Sequence, residues 1–527
     1  MTDDTTRSDT SHQPKRGLLA SSALVGVMTM LSRVLGLVRD VVFARLLGVS
    51  AGTDAFFVAF RIPNFLRRLF AEGAFNQAFV PVLSEYRTNG PFAATKELID
   101  RVAGTLGWIL FFISMIGVAT APWIITLFAP GFSADPYKYG LAVEMLRITF
   151  PYLFFISLTA YAGGILNTWN RFAVPAFTPV LLNVCLIGAA LYLTPLFVES
   201  RMAVGLAWGV MIAGVVQLLF QFPFLWQLGV LPKPKFFWND PGVQKILKLM
   251  IPALFGVSVS QINLLLDTVL ASLLVTGSVT WLYYSDRLNE LPLGVFGIAI
   301  ATVILPSLSK KHAAKSGEAF SNTIDWAIRL VLLIGWPAAV AIATISQPLL
   351  STLFQYGEFS RFDVEMTSQS LMAYSIGLLA FMLIKILAPG FYARQNTTTP
   401  VKIGIVTLVV NMVLMLALIY PLKHAGLALA TSLAAWLNAG LLYWFLYKDG
   451  AYKPRTGWWV YLLRLVLAGA AMAWVLWYMA GDVGQWYDWS ATQRAWHMTV
   501  IILAGIASYF GALLLLGLKP RHLRHAT

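Results

Sequence analysis

Charge is scarce in this 527-residue chain: Asp, Glu, Lys and Arg together make up 12% of it, against about 25% in an ordinary soluble domain. With 58% apolar residues, that excludes a soluble globular protein and leaves a polytopic helical membrane protein. Cysteine is scarcer still, and the single Cys185 rules out any intrachain disulfide. Catalytic signatures are missing too. There is no phosphate-cradling Walker loop, no dinucleotide fingerprint, no HExxH and no GxSxG. His12, His312, His424, His497, His522 and His525 fall in loops or near span ends, not in a metal-binding cluster. The expectation is a protein that is not an enzyme and carries no cofactor. Without an ATPase module, its energy source is an ion gradient, the membrane potential or the substrate's own gradient. Residues 1–17 show no apolar core with a small-residue cleavage site, so no cleaved signal peptide is expected.

What the chain has instead is apolar runs, each long enough to cross a hydrocarbon core of about 30 Å. They lie near 19–45, 54–83, 102–129, 141–165, 173–195, 203–228, 247–275 and 280–308, then near 324–354, 366–391, 401–421, 424–447, 458–480 and 495–518. That makes about fourteen spans, of which the first two and the eighth are the least apolar. Basic residues sort strongly between the two sets of loops. One set carries twenty-two, among them Lys15, Arg87, Lys96, Arg101, Arg171, Lys233, Lys310 and Lys519; the other carries five, Lys138, Arg201, Arg361, Lys423 and Arg494. The positive-inside rule then places both termini in the cytoplasm. The same rule accounts for the net charge of +14, which in a soluble protein would suggest nucleic acid.

The chain also repeats itself. Pro81-Val82-Leu83-Ser84 recurs as Pro306-Ser307-Leu308-Ser309, and Pro122 with Thr126-Leu127-Phe128 and Gly131 recurs as Pro348 with Thr352-Leu353-Phe354 and Gly357. Asn170 before Pro175 is echoed by Asn396 before Pro400, and Gly205-Leu206-Ala207 by Gly426-Leu427-Ala428. Four collinear matches at one near-constant offset indicate duplicated halves of about six spans each. An even span number makes the repeats parallel, around a midplane cavity of the kind transporters use. The expected divisions are a tail at 1–18, an N-lobe at 19–230, a C-lobe at 231–450 and an appended helix pair at 451–527.

Charges inside the spans carry the functional information. Arg33, Arg39, Asp40 and Arg45 sit in the first, and Asp54, Arg61, Arg67, Arg68 and Glu72 in the second. Span eight carries Asp286, Arg287 and Glu290, span ten Lys385 and span seven Asp267. An Arg, Lys or Asp at the centre of a lipid-facing helix costs at least about 2.5–3.5 kcal/mol. These groups must therefore face one another, the headgroups or a water-filled cavity. Any single acid–base pair is as readily explained as helix glue. Arg45, Arg68 and Arg87 read as interfacial, and Arg147, Arg329 and Arg464 as anchors. The central group differs: Arg33, Arg39, Arg61, Arg67, Arg287 and Lys385 outnumber Asp54, Asp286 and Glu290. That excess suits an anionic ligand, and the planar guanidinium fork suits phosphate.

These stretches resemble the MurJ (MviN) family of the multidrug/oligosaccharidyl-lipid/polysaccharide exporter superfamily. The matching residues include Ser32-Arg33-Val34-Leu35-Gly36 with Arg39-Asp40, Thr53-Asp54-Ala55-Phe56-Phe57, Leu66-Arg67-Arg68 and Ala71-Glu72-Gly73-Ala74-Phe75. Leu166-Asn167-Thr168-Trp169-Asn170-Arg171-Phe172, Asp286-Arg287-Leu288 and Leu387-Ala388-Pro389-Gly390 extend the likeness along almost the whole chain. The resemblance implies fourteen helices in two lobes. It also implies flipping of lipid II, the undecaprenyl-pyrophosphate-linked peptidoglycan precursor, across the bacterial inner membrane by alternating access. It places the family's cavity arginines on Arg33, Arg39 and Arg67, its span-eight charged trio on Asp286, Arg287 and Glu290, and its first-lobe acid on Asp54. With the charge excess, the expected substrate-binding set is Arg33, Arg39, Arg67, Arg287 and Lys385, and the expected gate or ion-pair set is Asp54, Asp286, Glu290 and Thr280. The last two helices are implied to form a groove for the prenyl tail. Sodium is implied among spans seven, eleven and twelve, where Asp267, Asn411 and Thr431 are the candidate ligands. Lipid II and membrane lipids are the implied partners, nucleic acid is not, and wall-synthesis or division machinery is a candidate.

Rivals are weighed on charge. A cationic-drug exporter calls for an acid-dominated cavity, which the basic excess argues against. An exporter of another lipid-linked oligosaccharide remains the alternative. A membrane-embedded enzyme on a lipid pyrophosphate needs a carboxylate or metal cluster that is not found, and a scaffold leaves the buried charge unexplained.

Overall fold

The computed structural model describes residues 15–69 and 75–518. Side chains of 15–23, 252–253, 255–261 and 296–303 are outside the description, as are the expected Glu72 and the basic residues of both extreme termini. Among the described residues 86% are helical and none is in a strand. The first half comprises α1 (Lys15–Leu47), α2 (Ala51–Arg67), α3 (Asn76–Asn89), α4 (Phe92–Ala119), α5 (Ala121–Phe128), α6 (Pro136–Thr149), α7 (Tyr152–Thr168), α8 (Ala173–Gly188) and α9 (Ala203–Gln227). The second comprises α10 (Pro241–Ser272), α11 (Ser278–Pro292), α12 (Ile298–Ala313), α13 (Gly317–Thr344), α14 (Ser346–Phe354), α15 (Arg361–Tyr392) and α16 (Thr398–Lys448). An appended unit, α17 (Trp458–Ala480), α18 (Val483–Asp488) and α19 (Ala491–Leu515), follows.

Local chemistry sets the ends of these rods. Capping boxes start α2 (Ser50 with Thr53), α15 (Ser360 with Asp363) and α19 (Ser490 with Gln493), each satisfying amides that the first turn leaves orphaned. The 51-residue α16 is two spans, turned at Lys423 (φ 50°, ψ −130°) just after Pro421. Nine helices among the described residues are long and apolar enough to cross a bilayer, and one of them is this double rod. Neither α1 nor α2 is in that set; α2 is only 17 residues long.

The duplication is visible in the backbone. The α4–α5 rod breaks at Thr120 and the α13–α14 rod at Ile345, so both halves use a long helix capped by a short one. Asn170 (φ 60°) and Gln395 (φ 58°) take the left-handed conformation at equivalent turns of the two halves, a conformation costly for most side chains. Within the first half α1 packs on α8, α2 on α6 and α7 on α9; within the second, α15 packs on α13, α11 and α16. Helix α10 belongs to the second half by sequence, yet it lies against α3 as well as α16. The fold is thus an all-α multi-pass membrane protein of two parallel-repeat lobes with an appended helix pair.

A single carboxylate fastens the appendage. Asp325 of α13, 1% exposed, accepts from the Tyr452 hydroxyl at 2.9 Å, the Trp458 indole at 2.8 Å and the Arg455 amide at 3.2 Å. Its second oxygen pairs with Arg329 Nε at 2.8 Å. Burial and this carboxylate push the Tyr452 phenol well above its ordinary pKa, so it remains a donor. Asp325→Ala should lower stability by about 3–5 kcal/mol, the usual effect of stranding one member of a buried ion pair. Thermal unfolding in detergent measures this, and an unchanged melting temperature contradicts the role given to Asp325.

Candidate functional site

Helix α1 brings Arg33, Gly36, Arg39 and Asp40 to the middle of the molecule, where Gly36 lets Asn183 of α8 approach to van der Waals distance. Asn183 then bridges the two helices. Its amide donates to the Ser32 carbonyl at 2.9 Å, and its oxygen accepts from Arg39 Nη1 at 3.0 Å. The other guanidinium nitrogens of Arg39 donate to one oxygen of Asp40, at 3.0 Å and 2.7 Å. The Tyr283 hydroxyl of α11 closes the ring, accepting from Arg39 at 2.8 Å and donating to Asp40 at 3.0 Å. Phe57 of α2 stacks under the Tyr283 ring at 3.9 Å. Arg287 lies over the Tyr283 ring at 5.2 Å, pairs with Glu290 at 3.2 Å and stands 4.0 Å from Asp40.

Above this layer opens a cavity of about 550 Å³, lined along α1 from Val25 to Asp40 and by Asn183, Arg68, Arg287, Glu290, Gly294 and Lys385. Its wall holds five cations, Arg33, Arg39, Arg68, Arg287 and Lys385, against two acids, Asp40 and Glu290. Among the described residues Arg33 and Lys385 make no ion pair. The Arg33 guanidinium rests against Gly294, where any side chain would collide with it. A chamber with unpaired cations in its wall is chemically an anion receptor.

The other expected site residues lie elsewhere. Arg67 turns back on Asn64, donating to its oxygen at 2.9 Å and 2.7 Å, while Arg68, read as interfacial, lines the cavity. Arg61 does not reach the chamber wall; it donates to Thr268 of α10 at 2.7 Å and stands in the field of Asp267 and Asp286. Asp54 is at the far end, fully buried. It accepts from Thr280 Oγ1 at 2.6 Å, from the amides of Thr280 at 3.0 Å and Gly277 at 2.8 Å, and from Lys138 Nζ at 2.7 Å. The first half thereby caps the N-terminus of α11 in the second. The same end is sealed by Gly131 against Ser272 Oγ at 3.2 Å and by the Glu358 amide on the Arg45 carbonyl at 3.1 Å. Gly48 sits there at φ 55°, and a Cβ would run into the Glu358 carbonyl.

Sequence reasoning undervalued four residues: Asp40 as the mate of Arg39, Asn183, Tyr283 and Lys138. Asp40 carried a signal, since a buried acid adjoins a buried Arg. Lys138 carried one too, as one of only five loop cations on the side poor in them. A second cavity, of about 300 Å³, is lined by Asn263, Asn411, Thr431 and Asn438. Asp267 Oδ1 and Asn411 Oδ1 are buried there or beside it without a hydrogen-bond partner, while the Thr431 hydroxyl lies within hydrogen-bonding reach of the Asp267 carboxylate. All-oxygen donors with one carboxylate are the ligand chemistry that hard cations take. Among the described residues no cluster of three or more His, Cys, Asp or Glu suits another metal.

Two duplicated halves, closed together at one end around a cation-walled chamber, define a multi-pass membrane transporter of the exporter superfamily fold. The likeness to solved structures agrees. An inward-facing MATE-family multidrug transporter superimposes with a TM-score of 0.66 at 15% identity, covering 81% of this chain and 98% of that one. A lipid II flippase MurJ in an inward closed conformation superimposes at 0.79 with 28% identity, covering 94% and 98%. The family model "Lipid II flippase MurJ" matches residues 43–494. A probable lipid II flippase MurJ of Vibrio cholerae is 52% identical, covering 97% of this chain and 98% of that protein. The lipid II flippase MurJ of Burkholderia cenocepacia is 42% identical over 95% and 98%. The chain belongs to the MurJ lipid II flippase family.

The geometry separates scaffold cations from receptor cations. Arg33→Ala should weaken pyrophosphate binding, measured by calorimetry, and leave the melting temperature unchanged. Arg39→Ala should lower both, because Asp40 loses its buried counter-ion at about 3–5 kcal/mol. Equal melting of the two variants contradicts this division.

Proposed function

We propose that the chain flips lipid II from the inner to the outer leaflet of a bacterial cytoplasmic membrane, for cell-wall synthesis, by alternating access. The observation that carries this reading is the chamber wall in which Arg33 and Lys385 stand without ion pairs among the described residues. A pyrophosphate supplies the negative charge that those two groups lack, and Arg287, already paired with Glu290, adds its field. Arg39, already saturated by Asp40, Asn183 and Tyr283, shapes the floor and contributes its field. Arg67 joins the binding set only after its contact with Asn64 is exchanged for the ligand. Both termini are assigned to the cytoplasm from the distribution of basic loops, which makes the sealed Asp54–Thr280 end periplasmic and the chamber accessible from the cytoplasm. Asp54 and Thr280 then form the contact that must part on outward opening, while Asp286 and Glu290 hold Arg61 and Arg287 in register.

The prenyl tail remains in lipid, since a polar chamber offers it no apolar surroundings. A cavity of 550 Å³ falls within the range of drug-sized sites, so the whole disaccharide-pentapeptide head requires the halves to part further. A sodium ion at Asp267, Asn411 and Thr431, or the membrane potential, supplies the driving force in this scheme. Wall-synthesis proteins are the candidate partners. Transport of another lipid-linked oligosaccharide is the second reading, because a pyrophosphate-binding chamber alone does not select the glycan.

Depletion of the protein in cells tests the cargo. Lipid II is expected to accumulate on the cytoplasmic leaflet, and accumulation of a different lipid-linked glycan with normal lipid II would favour the second reading. Complementation with Arg33→Ala combined with Arg287→Ala should lose translocation while membrane insertion persists. Normal translocation by that variant removes both residues from the site.

A further inference from the structure

Lys138 is an odd residue to find where it is. It occupies the first turn of α6, whose N-cap Asp135 accepts from the Tyr137 and Lys138 amides, and a cation at a helix N-terminus is electrostatically disfavoured. Its side chain is nevertheless 4% exposed, with Nζ 2.7 Å from Asp54 Oδ2, 3.4 Å from Thr276 Oγ1 and 4.3 Å from the centre of the Phe132 ring. The partners of Asp54 divide unequally between the halves. The Gly277 amide, the Thr280 amide and the Thr280 hydroxyl all come from the second half. Among the described residues only Lys138 comes from the same half as Asp54.

Separation of the halves at this end strips Asp54 of its three second-half donors together. We infer that Lys138 is the positioning residue that makes this separation possible, a resident counter-ion that keeps the Asp54 carboxylate paired when α11 withdraws. Lys138 rides with α2 and α6, whose contact lies within the first half, so the ion pair travels intact. In the closed state Lys138 and the three donors of α11 and its cap share the carboxylate, at 2.6–3.0 Å. Without Lys138, opening leaves the carboxylate with no protein partner, water alone replacing three donors of α11 and its cap, and the closed state is favoured. The inference rests on the alternating-access reading, and its sign separates it from a plain structural brace. A brace that is removed should let the halves fall apart more readily.

The test measures opening directly, with no cargo present, so its outcome does not depend on which lipid is carried. In a Cys185→Ser background, Val279→Cys places a reporter thiol on α11 at a position 4% exposed in the sealed end. In proteoliposomes its rate of modification by a membrane-impermeant thiol reagent follows the fraction of time that end is open. Lys138→Met is expected to slow modification by on the order of tenfold or more, as befits stranding a buried charge. Lys138→Arg should restore the wild-type rate. In an Asp54→Asn background, Lys138→Met should no longer slow it, because no carboxylate is left to neutralise. Faster or unchanged modification in Lys138→Met with Asp54 intact overturns the inference. Retained melting behaviour in Lys138→Arg guards against misreading an unfolded variant.

Discussion

A charge that cannot face lipid has to face something else, and in this protein that constraint decides which helices meet. Helices α1, α2 and α11 carry much of the ionisable seam, and turn Arg33, Asp54 and Arg287 toward the opposite half or into the chamber. A hydrocarbon environment penalises each such group by several kcal/mol. The alternative is the pattern found here: Arg39 locked to Asp40, Asp54 locked to Lys138, and a wetted cavity for the cations left over. The apolar helices then fill in around this polar seam, with α4, α9, α17 and α19 presenting aromatic and aliphatic surface outward.

The seam uses charge in two ways. Where an acid and a base are buried together and their remaining valences filled, as at Arg39, Asp40, Asn183 and Tyr283, the cluster fixes geometry. Where a cation makes no ion pair among the described residues, as with Arg33 beside Gly294, its charge is left for the chamber. The sealed end follows a third logic. Asp54 lends its carboxylate to the first turn of α11, where unpaired amides and the helix dipole both favour an anion, so closure at that end is a helix-capping interaction made between halves. Such a contact is strong when formed and has no partial version, as a two-state gate requires.

Much of this was legible in the sequence, for physical reasons that differ by element. Apolar runs and loop charges announce spans, and the duplicated Pro-Leu-Phe-Gly segments announce the paired broken rods that end in α5 and α14. The basic excess pointed to a chamber before any geometry was known. Pairing across long sequence separations was not legible: Asn183 meets Arg39, and Tyr283 meets Asp40, only because α1, α8 and α11 converge. The exchange of Arg67 for Arg68 at the wall has a local cause. Pro63 interrupts α2, and the residues after Arg67 adopt a wider π turn, so a helical wheel carried past that point is out of phase. Lys138 was counted among loop cations because burial of a loop-adjacent Lys is not a periodic signal.

The central claim is that the chamber recognises negative charge presented on a lipid. Native mass spectrometry of the purified protein with two lipids of equal chain length, an undecaprenyl pyrophosphate and an uncharged undecaprenol, measures it most directly. The account predicts binding of the pyrophosphate lipid that weakens steeply with added salt, and little retention of the alcohol. Equal retention of both lipids, insensitive to salt, would contradict it.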